Sequence, residues 1–132
     1  MPPPRVDLIG AGRLGSALAA WLSAPRPPRL QTVVSRSAAR ARALARRWAA
    51  PASSTVAEYA PGAPLILLAV PDDALTGLAR QLAAGVPGSG RTRGGWRGKI
   101  VLHTSGLHPA AVLAPLRRRG AAIGGLHPLM SF

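Results

Sequence analysis

Val6-Asp7-Leu8-Ile9-Gly10-Ala11-Gly12-Arg13-Leu14-Gly15 runs a largely apolar strand straight into the spacing Gly-x-Gly-x-x-Gly and the start of a helical pattern. In a strand–turn–helix unit each of these glycines has its own mechanical duty. Gly10 makes the tight turn, Gly12 lets a phosphate approach the backbone, and Gly15 lets the helix pack close to the strand. The helix opening near Arg13 presents N–H groups with no intrahelical acceptor at the positive end of its dipole, which favours a bound anion. Ala11, Arg13 and Leu14 fill the spaces of the motif and belong to the same cradle. About twenty residues on, at the place where an acid would accept from a free ribose 2′-hydroxyl, stand Ser35, Arg36 and Ser37. Two hydroxyls and a guanidinium suit a 2′-phosphate instead, so the pair of signals points to NADP(H) as cofactor.

The rest of the chain alternates strands with helices. The first strand is Val6 to Ile9, and the helix from about Arg13 to Ser23 carries Leu14, Leu18, Trp21 and Leu22 at helical spacing. Pro25-Arg26-Pro27-Pro28 ends it. Leu30 to Val34 is a second strand, Ser37 is a natural N-cap, and a helix follows from Ala38 to about Ala50, stopped by Pro51. A short third strand is expected near Thr55 to Ala57. Leu65 to Val70 is apolar throughout, as a central parallel strand covered on both faces should be. After Pro71, Asp72 or Asp73 is expected to cap a helix through about Ala84. Gly85 to Gly98 reads as a mobile glycine–arginine loop, Lys99 to His103 as a buried strand, Pro109 to Arg119 as a helix and Ala121 to Gly125 as a last strand. Such alternation with short connections implies an α/β domain spanning residues 1–132, a doubly wound parallel sheet of the Rossmann type.

In a sheet of this kind ligand sits beyond the carboxyl ends of the strands, where strand order reverses. Besides the two segments already named, that rule selects Ala69-Val70-Pro71 as an apolar wall for ribose or nicotinamide. It also selects Thr104 and Ser105 as bonding partners for carboxamide or substrate. Asp72 and Asp73 are read as helix caps before catalytic acids. His103, at a strand end, is a candidate for proton transfer set against a satisfied structural role. Ser105 lacks the Gly-x-Ser-x-Gly setting of a hydrolase nucleophile, and its surroundings suit ligand contact better. His103, His108 and His127 show no metal-ligand spacing and no cysteine completes a set, so no metal is expected.

Composition narrows the alternatives. Seventeen lysines and arginines, with Lys99 the one lysine, face four acids and give a net charge of +13. The arginines are scattered rather than gathered, and three Trp, one Tyr and one Phe are too few to interleave stacking surfaces, so nucleic acid is not the expected partner. Arg117 to Arg119 before Gly120 read as cations opposing a helix dipole. The absence of cysteine excludes disulfides and thiolate zinc sites. The proline-rich start is too polar for a leader and the longest aliphatic run too short to cross a bilayer, so a cytoplasmic location without membrane contact is expected.

Taken together, Ile9 to Gly15, Leu68-Ala69-Val70-Pro71-Asp72-Asp73, His103-Thr104-Ser105-Gly106 and Gly125-Leu126-His127-Pro128-Leu129-Met130-Ser131-Phe132 resemble the bacterial Rossmann-like proteins that carry a second, helical domain of unknown function. By wider similarity that group resembles the pyrroline-5-carboxylate reductase and 6-phosphogluconate dehydrogenase superfamily. The resemblance implies an NADP-dependent oxidoreductase exchanging hydride with a small carbonyl, imine or hydroxy acid. It also implies a homodimer formed through a C-terminal domain that lies outside this N-terminal half. A non-catalytic NADP-binding sensor or regulatory module is the alternative. The apolar Leu129, Met130 and Phe132 are expected to dock onto further chain or a neighbouring subunit.

Overall fold

The computed structural model describes residues 4–85 and 95–126. Ten regular elements follow in order: β1 (Arg5–Ile9), α1 (Arg13–Leu22), β2 (Arg29–Ser35), α2 (Ala38–Arg47), β3 (Ala52–Thr55), β4 (Leu65–Leu68), α3 (Asp72–Ala84), β5 (Ile100–His103), α4 (Ala114–Arg117) and β6 (Ala122–Gly125). The strands form one parallel sheet in the order β3-β2-β1-β4-β5-β6. Successive side chains of the central strands serve opposite faces. Leu8, Val33 and Leu67 pack with α1 and α2 through Leu18, Leu22 and Leu44. Their neighbours Ile9, Val34, Ile66 and Leu68 pack with α3 and α4 through Leu75, Leu78 and Leu116. This two-sided burial is why β4 carries no polar residue, and it makes the sheet doubly wound. Strand order reverses between β1 and β4, so the crevice rule places ligand above that pair. Among the described residues no helix is long and apolar enough to cross a membrane.

Several boundaries differ from expectation, each for a physical reason. The third strand is Ala52–Thr55, and Val56–Glu58 form a 3-10 turn in place of the strand expected at Thr55 to Ala57. Pairing of Thr32 with Ala52 through Ser35 with Thr55 sets this register, which the small residues of an edge strand do not advertise. The helix expected from Pro109 to Arg119 is a 3-10 turn, Ala110–Leu113, followed by the single turn of α4. Pro115 has no N–H to continue an α-helical ladder. Asp72 and Asp73 lie in the first turn of α3, after Pro71 at the N-cap, and make no side-chain cap. Their charge still favours that helix end through its dipole. Most of the expected loop, residues 86–94, lies outside the described residues, as do His127, Leu129, Met130 and Phe132. At its end residues 95–98 form a turn whose Trp96 is fully buried, its ring edge-on to Tyr59 at 6.3 Å.

The turn after β1 is held by backbone packed on backbone. Gly10 takes φ +127°, a conformation that L side chains avoid, and a Cβ there would collide with the Ala69 carbonyl. A Cβ at Gly15 would collide in turn with the Gly10 carbonyl. The Gly10 amide donates to Val34 O at 2.8 Å and the Ala69 amide to Ile9 O at 2.8 Å, so the turn is bonded to both neighbouring strands.

Toward the other end of the sheet, β1 buries a carboxylate. Asp7 is fully buried, and its Oδ2 accepts from Tyr59 Oη at 2.5 Å and from the amides of Gly62 at 3.2 Å and Ala63 at 3.1 Å. The β1–β2 register slips by one residue beside it, between Val6 and Asp7. Three donors on one oxygen draw the β3–β4 connection down onto β1. Burial and the neighbouring Asp7 carboxylate push the Tyr59 hydroxyl well above the usual tyrosine range.

Two outcomes follow. Gly15→Ala is expected to cost more than about 3 kcal/mol, because its methyl meets a backbone carbonyl rather than a side chain that can repack, and Gly10→Ala at least as much, because strain at φ +127° is added. Urea denaturation decides this, and a stable Gly15→Ala would show that the stack is loose. Tyr59 is the chain's one tyrosine, so its titration can be read without ambiguity. Its ionisation is raised in the fold, so stability should hold below the unfolded value near ~10 and fall as pH rises past it. Tyrosinate absorbance should therefore appear only together with loss of circular dichroism. Tyrosinate forming near pH ~10 in the still-folded chain would contradict the buried Asp7–Tyr59 pair.

Candidate functional site

A cleft of about 540 Å³ opens above the carboxyl ends of β1 and β4, a volume suited to a nucleotide-sized ligand. Its floor is Ile9 and the turn Gly10, Ala11 and Gly12. One wall comes from β2 and α2, with Ser35, Arg36 and Arg40, and the other from Ala69, Val70 and Pro71 after β4. Val56, from the 3-10 turn, with Ala74 and Leu78 of α3, lines an apolar recess, and Asp73 stands beside them as the acid of the cleft. A second, shallower hollow of about 240 Å³ shares Ala11 and Arg40 with the first and is lined further by Ala43, Leu44 and Arg47 of α2.

Eight of the residues expected from sequence thus meet around one cavity. Of the others, Gly15 acts from within the fold. Arg13 and Leu14 open α1 beside the cleft without lining it. Ser37 is the N-cap of α2: its Oγ accepts from the Arg40 amide at 3.3 Å, while its own amide donates to Ser35 Oγ at 3.4 Å. This cap sets the position of Arg40, which occupies the third residue of α2 and which the sequence reading passed over. The signal was present, since a residue three after an N-cap lies back over the helix start. Val56, Ala74 and Leu78 carried no comparable signal, being apolar residues of ordinary helical and turn segments.

Electrostatics divide the helix ends around the cleft. α1 and α2 begin with no acid in their first turns, and α1 begins on Gly12 with no side-chain cap. The amides at the start of α1 therefore lack both an intrahelical acceptor and a compensating charge. α3, by contrast, carries Asp72 and Asp73 in its first turn. An anion is thus favoured between the starts of α1 and α2, next to Arg36 and Arg40, and disfavoured at α3. A Cβ added at Gly12 meets no atom within 4 Å, so the backbone there faces open space that a ligand can fill.

Thr104, Ser105 and His103 stand at the end of β5, beside β4, and do not line the cleft. The amide and Oγ1 of Thr104 both donate to the Leu68 carbonyl at 3.3 Å. Ser105, 6% exposed, accepts at Oγ from the amides of Leu107 at 3.2 Å and His108 at 3.3 Å. His103, 1% exposed, has Nδ1 3.0 Å from the Ser105 amide and Nε2 3.2 Å from the Pro109 carbonyl. Among the described residues no three His, Cys, Asp or Glu side chains gather as a metal site would require.

Comparison with known proteins agrees with this architecture. The chain superposes on a putative NADP oxidoreductase from Bacteroides fragilis with a TM-score of 0.74 and 27% identity, covering 98% of this chain and 46% of that one. An imine reductase from Myxococcus stipitatus in complex with NADP+ gives 0.63 and 26%, covering 90% and 39%. Arogenate dehydrogenase from Synechocystis, at 0.71 and 18% over 97% and 42%, shows the fold alone. The chain spans less than half the length of each. No curated protein matches it. The family model of the Rossmann-like domain matches residues 2–128, a span that holds the glycine turn, the cleft and all six strands, and the chain belongs to that family.

Proposed function

We propose that this chain is the NADP(H)-binding domain of an oxidoreductase that exchanges hydride with a small carbonyl, imine or hydroxy-acid substrate. The observation that carries the reading is the cleft at the strand-order reversal, which joins an uncompensated helix start, two arginines and an apolar wall. The residues present fit a phosphorylated dinucleotide. Gly12 leaves open space over bare amides for the diphosphate, and Arg36 and Arg40 flank the start of α2, where Ser35 and Ser37 add hydroxyls for a 2′-phosphate. Ser37 can donate its hydroxyl proton while its oxygen continues to accept from the Arg40 amide. Val56, Ala74 and Leu78 give an adenine ring an apolar seat. Ala69, Val70 and Pro71 give the nicotinamide half a flat wall that keeps water from one face. The bound nicotinamide supplies the hydride chemistry, and the protein supplies placement and charge. Support also comes from the Bacteroides fragilis and Myxococcus stipitatus proteins, whose descriptions name NADP at 27% and 26% identity.

Two sets of variants test the reading by titration calorimetry. Arg36→Ala and Arg40→Ala should each weaken NADPH binding about tenfold, a modest figure because both side chains are exposed, and change NADH binding less than about threefold. Equal losses for both cofactors would remove the 2′-phosphate assignment. Gly12→Ala has room for its methyl and an ordinary φ of −80°, so its thermal midpoint should match the wild type. Its affinity for both cofactors should nevertheless fall about tenfold or more, because the methyl takes the space of the diphosphate. Unchanged affinity would place the ligand elsewhere.

A further inference from the structure

The apolar wall of the cleft is tied at both of its ends to a loop that the cofactor reading leaves without a role. Residues 104–109 follow β5 and contribute nothing to the cleft lining, yet their polar groups are engaged one after another. Thr104 bonds the Leu68 carbonyl through its amide and its hydroxyl. His108 Nε2 lies 2.8 Å from the Asp72 carbonyl. These two attachments bracket Ala69-Val70-Pro71, the segment that forms the wall. Between them the loop is organised by Ser105, whose Oγ accepts two amides while its own amide donates to His103.

His103 is the fixed point of this arrangement. A neutral imidazole has one donor and one acceptor nitrogen, and acceptance of the Ser105 amide at Nδ1 leaves the proton on Nε2, directed at the Pro109 carbonyl. One ring thus ties the second residue of the loop to its last. Gly125 of β6 lies against the same ring, its Cβ direction 3.7 Å from Cε1, and the His103 carbonyl accepts from the Leu126 amide at 2.7 Å. With both nitrogens engaged and 1% of its surface exposed, the imidazole has no path to a substrate proton.

We propose that His103 is a positioning residue: its two-ended imidazole clamp fixes the 104–109 loop, and the loop, through Leu68 and Asp72, holds the Val70–Pro71 wall at the spacing the nicotinamide half of the cofactor needs. The proposal rests on the dinucleotide reading above. It weights the effect toward the nicotinamide half, because the phosphates of the adenosine half are held by β2, α2 and the glycine turn, which the loop does not touch by hydrogen bond, and the loop reaches α3 only at Asp72, ahead of the Ala74 and Leu78 seat.

The test compares NADPH with 2′-phospho-ADP-ribose, the same ligand without nicotinamide, on the wild-type chain and three variants. His103→Leu removes both bonds. His103→Asn keeps an acceptor for the amide two residues on, as in an Asx-turn, and His103→Gln keeps a donor toward Pro109 in place of Nε2. His103→Leu should lose about tenfold or more in NADPH affinity and less than about twofold in 2′-phospho-ADP-ribose affinity, and His103→Asn should recover most of the loss. Because the Ser105 bond organises the loop, His103→Asn should also bind NADPH more tightly than His103→Gln. That ranking decides the matter if His103→Leu does not fold. Equal loss of both ligands, no loss of NADPH, or His103→Gln outperforming His103→Asn would each overturn the clamp while leaving the dinucleotide reading intact. A wild-type chain that binds neither ligand would overturn that reading and this proposal with it.

Discussion

Two contacts between backbones, the Ala69 carbonyl over Gly10 and the Gly10 carbonyl over Gly15, fix the position of everything else in the cleft. Side chains can be repacked at a cost of one or two kcal/mol, but a carbonyl lodged where a Cβ would stand admits no substitute for glycine. Because Ala69 follows β4 directly and Gly15 lies in the first turn of α1, the stack joins the two strands at the order reversal to the helix that starts above them. The amides of that helix are thereby held at the mouth of the crevice. Gly12, between the two pinned residues, is left with open space in front of it. Closure at Gly10 and Gly15 and openness at Gly12 are one geometric solution, and it explains why three glycines of identical chemistry have different duties.

The charges around this frame follow a consistent pattern. Net charge alone says little about a site, since fields of exposed groups are screened within about 10 Å at moderate ionic strength. Local placement says more. The two helix starts on the β1–β2 side of the crevice lack acids and are accompanied by Arg36 and Arg40, whereas the helix start on the β4 side carries Asp72 and Asp73. An extended ligand with phosphates at one end and an uncharged ring at the other therefore has one favourable direction across the switch point. The apolar wall of Ala69 to Pro71 lies on the side where the arginines are absent.

Where the determinants are local, the sequence was readable. The Gly10–Gly15 spacing, the Ser37 cap and the apolar run from Leu65 each declare their structure within a dozen residues, and each element stands where expected. The third strand did not, because Ala52-Ser53-Ser54-Thr55 becomes a strand only through its register with β2. Pro115 was a local signal that a helix could not run unbroken from Pro109 to Arg119, and it outweighs the periodicity of the surrounding leucines. Arg40 was partly legible through the cap three residues earlier. The recess of Val56, Ala74 and Leu78 was not, because one residue of the 3-10 turn and two of α3 acquire a shared surface only when the turn after β3 is packed against α3. Thr104 and Ser105 were read as facing ligand from their place at a strand end, and the hydrogen bonds that turn them toward Leu68, Leu107 and His108 depend on neighbours that spacing does not reveal.

Asp7 is the instructive case, an acid in the middle of the first strand with its partner Tyr59 fifty-two positions away. A negative charge inside the sheet would seem to oppose a phosphate cradle on the same strand. Three residues of strand separate Asp7 from Gly10, roughly 10 Å, where two unit charges at an effective dielectric of about 20 repel by about 1.7 kcal/mol. That is comparable to a single charge-assisted hydrogen bond, and Asp7 receives three donors on one oxygen. The tyrosine hydroxyl and two amides stabilise the charge on Oδ2, while Oδ1 is buried without a partner among the described residues, and the helix start and arginines would act at contact distance from a phosphate. Contact outweighs the distant repulsion, so the strand can carry its polar anchor three residues from the turn that carries the site.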